Sequence, residues 1–382
     1  MEVLEPPGFG QGALNREGIC RAVGNPIGSP SLRELAGGAR EVCIVFDDMT
    51  RPTPVKLVLP AVLAVLEDVG IPDGNVRFIP ALGMHGAMGN IDFRKKLGDE
   101  VVRRFPVYNH NPYENCEYIG RTPGGLPLSF NREFMSCDLK IGIGCITPHL
   151  FVGFGGGGKI VLPGISGFDT IVAFHGDVAQ RDPESLGLGR FEGNAMRAEV
   201  EDAVRMSGLQ FKIDALVNGR GEITDLFAGD PVEAHRAGVE AAKFHYGTRP
   251  SPGKDIVVAN SYAKYNEMNI SMVMAYATVN IEVGTVVLLV DAPEGQVCHY
   301  LFRSFGKNYG GRMYTKRPPP HEGPAVIVCS AYPDRTMCDM FASMEGVTVT
   351  GSWDETVQLL RAANPGRSEE HTSELQSRFC IS

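Results

Sequence analysis

The chain has 382 residues, a formal charge of −9, 43% hydrophobic and 21% charged residues, which is more chain than one ordinary core takes and leads us to expect two domains. The acidic balance supplies no overall basic field for a phosphate backbone, so it argues against a nucleic-acid partner. The longest mainly apolar stretch, 57–66, falls short of the roughly 20 residues that span a bilayer, which argues against a membrane partner. The start is acidic and Pro-rich, and the 9 cysteines form no CxxC pair. A cytoplasmic protein with reduced thiols is therefore expected.

Strand-like runs rich in Val and Ile recur at 42–48, 76–83, 139–145, 255–261, 285–291 and 325–330. Helix-length segments fall at 54–69, 195–206, 231–245, 266–283 and 354–363. Apolar strands alternating with helices predict an α/β fold with a mostly parallel sheet covered on both faces. The sequence GTRPSPGK at 247–254 separates a helix from a new strand, which divides the chain into a larger N-terminal domain, 1–247, and a smaller C-terminal α/β domain, 254–366. RPPP at 317–320 reads as a stiff local loop. The last stretch, 367–382, lacks an apolar period, follows Asn364-Pro365-Gly366 and is similar to the translation of a sequencing-adapter remnant. It is expected to be a non-native tail.

Three motifs carry candidate chemistry. FDDMTRPTP at 46–54 lies where a strand ends and a helix begins, the place where open α/β sheets bind ligands. Asp47, Asp48, Thr50 and Arg51 there suit an anionic ligand, and the planar fork of Arg51 matches a carboxylate. The alternative is that Thr50 and Thr53 merely cap the helix that Pro54 opens. ALGMHGAMG at 81–89 puts His85 at the next strand end, on the edge that carries Arg51 if the strands are parallel, where it can move protons near pH 7. His110 and Asn111 in YNHNPYEN read as a turn.

The third motif, ITPHLFVGFGGGGKIVLPGISGFDTIVAFHG at 146–176, concentrates glycine around Lys159. Gly153, Gly158 and Lys159 nearly satisfy the P-loop pattern, so a phosphoryl-transfer enzyme is a rival reading. Against it, Ile160 replaces the magnesium-binding hydroxyl and Pro163 would interrupt the helix that a P-loop opens. A lysine in such a loop can otherwise contact phosphate or anchor a cofactor covalently. His149 and His175 flank it at spacings unlike a local HxxxH chelate, so any shared metal must be assembled by the fold. His149 capping a turn and His175 closing a helix are the structural alternatives.

Taken together, DDMTRPTP, GMHG, TPHLFVGFGGGGKIVLPG and FHG resemble the lactate racemase family over about residues 40–300. The resemblance implies a racemase or epimerase of a 2-hydroxy acid that uses a nickel-pincer nucleotide, a pyridinium-3-thioamide-5-thiocarboxylate mononucleotide carrying nickel. By the same resemblance Lys159 tethers that cofactor and His175 ligates nickel. His85 and His149 are the acid and base, and Arg51 holds the substrate carboxylate. Asp48 and Thr50 shape the cofactor end of their loop, while Gly155, Gly156, Gly157 and Gly158 cradle the cofactor. Hydride leaves and returns at C2 while the histidines move the hydroxyl proton. The N-terminal domain would bind the cofactor and the C-terminal one would close over the substrate at an interdomain cleft. Enzymes that make the cofactor are implied partners, and the chain is expected to be cut short. A cofactor-binding protein without turnover is a further alternative. One departure concerns the substrate. Where the family has a YQAVK-like helix, this chain reads Ile270-Ser271-Met272-Val273-Met274, with no lysine between Lys264 and Lys307. The lost cation puts lactate in doubt as the substrate; Met268, Met272 and Met274 suggest a larger or more apolar side chain on the hydroxy acid, the alternative being that they simply fill the core.

Overall fold

The computed structural model describes residues 2–301, 323–334, 337 and 346–363. The loop at 317–320 and the tail at 367–382 lie outside the described residues. The chain forms two compact units, one built on 6–247 and joined by the segment that starts at Val297, the other on 248–296 with the residues from 318 on and the first five.

The larger unit contains β1 (Val42–Asp47), β2 (Val76–Ala81), β3 (Cys116–Arg121), β4 (Pro127–Asn131), β5 (Leu139–Cys145), β6 (Pro148–His149), β7 (Gly153–Phe154), β8 (Phe211–Val217) and β9 (Ile223–Gly229). Its main sheet runs β2-β1-β5-β8-β9. The first four strands are mutually parallel, and β9 closes the edge antiparallel to β8. The β3–β4 hairpin and the two-residue pair β6–β7 lie outside it.

Alternation along β1 shows how both faces are covered. Val42, Ile44 and Phe46 pack with Val55, Val58, Leu59, Val62 and Leu66 of the helix Val55–Asp68. Cys43 and Val45 face the opposite way, into a second core with Ile160, Val161 and the helix Ala195–Ser207. Successive strand residues point to opposite faces, so a strand buried on both sides reads as one apolar run. β1 has β2 on one side and β5 on the other, although the chain reaches β5 only later. Their carboxyl ends therefore flank a switch in strand order, where ligands of open α/β sheets bind.

The smaller unit carries β10 (Ile256–Asn260), β11 (Thr285–Leu289), β12 (Ala325–Cys329) and β13 (Val347–Thr350), all parallel and in that order. The helix predicted at 266–283 is shorter, Met268–Tyr276. Beyond it, β-branched Thr278 and the following residues pair with Lys254 through Lys254 N to Thr278 O (3.0 Å) and Asn280 N to Lys254 O (2.7 Å). Met268 is fully buried and Met272 packs on the same core. The expected apolar substrate surface is thus reduced to Met274, which is 48% exposed, because the other two methionines fill the unit's own interior. Among the described residues no helix is long and apolar enough to cross a membrane.

A candidate active site at the strand ends of the larger unit

At the end of β1 the two acids are buried and engaged. Asp48 Oδ1 accepts from the Thr50 amide (2.9 Å) and hydroxyl (2.5 Å), and Arg51 Nη1 donates to Thr50 Oγ1 at 2.8 Å. Thr53 Oγ1 donates to Asp47 Oδ2. The buried Lys96 ammonium sits 2.8 Å from Asp47 Oδ1 and donates to the carbonyls of Asp48 (2.8 Å) and Arg51 (2.9 Å). Neither threonine caps the following helix, whose N-cap is Pro54 without a side-chain bond. The capping alternative therefore falls: both hydroxyls orient the acids.

His85 follows β2 and brings Nδ1 to 2.5 Å from Asp48 Oδ2. A carboxylate can only accept, so Nδ1 carries a proton and donates to Asp48. Burial works to raise the Asp48 pKa, but His85, Arg51 and Thr50 outweigh it and hold the carboxyl below the usual range. It stays an anion.

Beyond β5, His149 and Lys159 meet. His149 Nδ1 accepts from the amides of Phe151 (3.1 Å) and Val152 (3.4 Å). Its ring proton therefore lies on Nε2, which faces Lys159 Nζ at 2.8 Å. His175 lies in a π-helical turn, Phe174–Val178, an irregularity common at functional sites. Its Nδ1 donates to Ile171 O at 2.9 Å, which leaves Nε2 as the acceptor. Burial drives its pKa down to about 4, opposed by the Ile171 bond. His175 is thus neutral at pH 7 and shares its surroundings with Lys159 and His85. The ring of Phe151 lies 6.2 Å from that of His149 and 6.0 Å from that of His175.

The glycines of the loop serve its own packing. Gly156 and Gly157 are left-handed, with φ of 79° and 56°. A Cβ on Gly157 would come within 2.6 Å of His235, and one on Gly158 within 2.2 Å of Val204. The Gly155 amide is bound to Thr147 O at 2.7 Å. At Gly157 and Gly158 the space a side chain would need is already filled by protein, which is why these positions take glycine. The P-loop rival fails. Lys159 sits in a short turn, Gly157–Ile160, and the next helix starts only at Phe168, so no helix N-terminus follows the lysine.

Two further histidines need comment. His110 is buried, donates from Nε2 to Ser166 O (2.9 Å) and accepts from Asn131 (3.3 Å), so it ties loops together. Asn111 makes the expected turn, with Oδ1 accepting from Tyr113 N at 3.0 Å. His299 was not singled out in the sequence, where one histidine in an apolar run carries no signal. Its ring lies 5.0 Å from that of His85. Gly86 N to Cys298 O (2.8 Å) and Tyr300 N to Met84 O (2.9 Å) staple its segment to the His85 loop.

Known proteins are similar to this chain in sequence and in fold. Residues 1–187 match the lactate racemase N-terminal domain. The chain is 31% identical over 287 residues to a lactate racemase of Lactiplantibacillus plantarum, covering 73% of this chain and 67% of that protein. It is 30% identical over 244 residues to a lactate racemase of Thermoanaerobacterium thermosaccharolyticum, covering 63% of this chain and 57% of that protein. In fold it is similar to the lactate racemase apoprotein of the latter organism, with a TM-score of 0.73 at 23% identity, over 93% of this chain and 90% of that one. It is also similar to a Thermotoga maritima protein, with a TM-score of 0.66 at 19% identity, over 89% and 93%. The Lactiplantibacillus match, at this identity and over this share of both proteins, establishes that the chain belongs to the lactate racemase family, a family of isomerases.

Proposed function

We propose that the chain racemises or epimerises a 2-hydroxy acid at this strand-end site, with a nickel-pincer nucleotide held on Lys159. The observation that carries the reading is the pairing of the Lys159 amine with His149 Nε2 at 2.8 Å beside a neutral His175. The donor set fits the group. A lysine side chain next to an imidazole can be acylated by a cofactor, and an imidazole whose Nδ1 is tied to a backbone carbonyl presents Nε2 to a metal in the way structural ligands do. When bound, the cofactor supplies an electrophilic carbon that takes up and returns hydride.

The chain's own groups then divide the remaining work. Arg51 would hold the substrate carboxylate. His85, with Nδ1 held by the Asp48 anion, offers Nε2 as a base for the substrate hydroxyl. His149, with its proton on Nε2, is the complementary acid. Two enantiomers that pass through one keto acid need opposite proton roles on the two sides, and the hydrogen bonds at Nδ1 set these two rings in opposite states. Residues 1–247 would hold the cofactor, and 254–366 would set the substrate preference. The missing lysine in the Ile270 to Met274 stretch points away from lactate. The chain would be loaded by cofactor-making enzymes in the cytoplasm.

The test is racemisation in D2O. Protein loaded by co-expression is given single enantiomers of a panel of 2-hydroxy acids, and the products are resolved by chiral chromatography and mass spectrometry. Hydride return predicts product with no deuterium at C2. Solvent deuterium at C2, or no turnover of any hydroxy acid by a loaded chain, overturns the reading.

A further inference from the structure

β8 reads FKIDALV, and every residue of it is buried. Phe211, Ile213, Ala215 and Val217 join one core, which turns Lys212 and Asp214 to the opposite face, where each is 1% exposed. Lys212 Nζ donates to Asp214 Oδ1 (2.6 Å) and Ile213 O (2.9 Å). Its stem crosses β5 over two glycines: a Cβ on Gly142 would stand 2.8 Å from Lys212 Cδ, and one on Gly144 3.4 Å from Nζ. A buried ion pair and two glycines inside a central strand are a poor choice for stability alone, since apolar side chains of the same volume usually do as well or better.

What the pair touches explains it. Asp214 Oδ2 accepts from Gly157 N at 2.8 Å. His235, 2% exposed, donates from Nε2 to Gly155 O at 2.8 Å, and the buried Arg197 donates from Nη2 to Phe154 O. Three buried polar side chains thus hold three backbone groups within four residues of one loop. Gly157 is two residues from Lys159, whose amide is bonded to Gly156 O at 3.2 Å. A shift of the Gly157 peptide therefore moves the base of the lysine directly.

We propose that the Lys212–Asp214 pair, with His235 and Arg197, is a positioning device that fixes the Phe154 to Gly157 backbone and so delivers the Lys159 amine to His149. This inference rests on the reading of Lys159 as the cofactor anchor only for its functional meaning. The positioning itself can be tested without any cofactor.

The experiment compares wild type with the double variant Lys212→Met/Asp214→Leu and with Asp214→Asn. Three quantities are read: the rate at which a succinimidyl ester acylates Lys159 at pH 7, by peptide mass mapping against the surface lysines; the fraction of chain carrying an adduct after co-expression with the cofactor-making enzymes; and Tm. The double variant is expected to keep its Tm to within a few degrees while Lys159 acylation falls about tenfold, because the amine is no longer held beside the His149 ring. Asp214→Asn retains an acceptor for the Gly157 amide and is expected to lose less, about threefold; it carries the test if the double variant does not fold. Acylation and adduct levels within twofold of wild type in both variants would reduce the pair to a packing role and overturn the proposal. If wild type takes no adduct but the acylation rate still falls in the variants, positioning stands and the anchoring role of Lys159 fails.

Discussion

The two parallel sheets of this chain are built from similar runs of Val and Ile, yet they differ in what else they contain. In the smaller unit, Val286, Leu288, Val326 and Val328 form an apolar core with Met268, and β10 to β12 contain no Asp, Glu, Lys or Arg. In the larger unit, β5 and β8 carry Lys140, Lys212 and Asp214 and two glycines in their interiors. Every candidate catalytic side chain stands at the strand ends of that sheet. Places where a fold breaks its own packing rules tend to be the places where it carries a site. Stability and chemistry should accordingly respond to different substitutions.

The largest effect is expected at the strand ends. His85→Gln should lower racemisation by about 10²- to 10⁴-fold, the range of a lost acid or base, while intact mass shows the adduct unchanged. Asp48→Asn removes the anion that holds the His85 ring and should cost about 10- to 100-fold in kcat, with a shifted pH profile. The smaller sheet supplies the contrast: Leu288→Ala should destabilise by about 2–5 kcal/mol in denaturant unfolding and leave Lys159 loading unchanged. If it abolishes loading in folded protein, the division between the two sheets is wrong.

Acid should act through the larger unit. Burial depresses the pKa of His110 to about 4 and that of His235 to about 3 from an ordinary 6.5. Between those values and 6.5 the unfolded chain binds more protons than the folded one, so stability is lost as pH falls below 6.5. Unfolding at pH 5 should therefore show a loss on the order of 1 to 4 kcal/mol against pH 7, at about 1.4 kcal/mol per unit per group. Equal stability at the two pH values would contradict these buried neutral rings. The smallest effect is expected at Met274→Ala, within about 0.5 kcal/mol in stability, whereas Met268→Ala should cost about 2–5 kcal/mol.

Much of this was legible in the sequence because the relevant signals are local. Apolar runs gave β1, β2, β5 and β10 to β12, and FDDMTRPTP, GMHG and the glycine loop placed Asp48, His85 and Lys159 at strand ends. β8 was missed because Lys212 and Asp214 interrupt its apolar run. Opposite charges two residues apart share one face of a strand, and that spacing was the available signal. β9 and β13 are edge strands whose pattern is weaker, and no sequence feature pointed to His299. The sequence did not reveal that Val204 and His235 stand where side chains at 158 and 157 would go. Such packing joins residues that are distant in the chain and leaves no local mark.

The central claim, that Lys159 is the anchor of a nickel-bearing cofactor, is tested most directly by intact mass spectrometry with metal analysis after co-expression with the cofactor-making enzymes. A single adduct that maps to Lys159, accompanied by nickel and absent from Lys159→Ala, is the predicted result. An unmodified chain under conditions that load a known lactate racemase, or an adduct that survives Lys159→Ala, would contradict it.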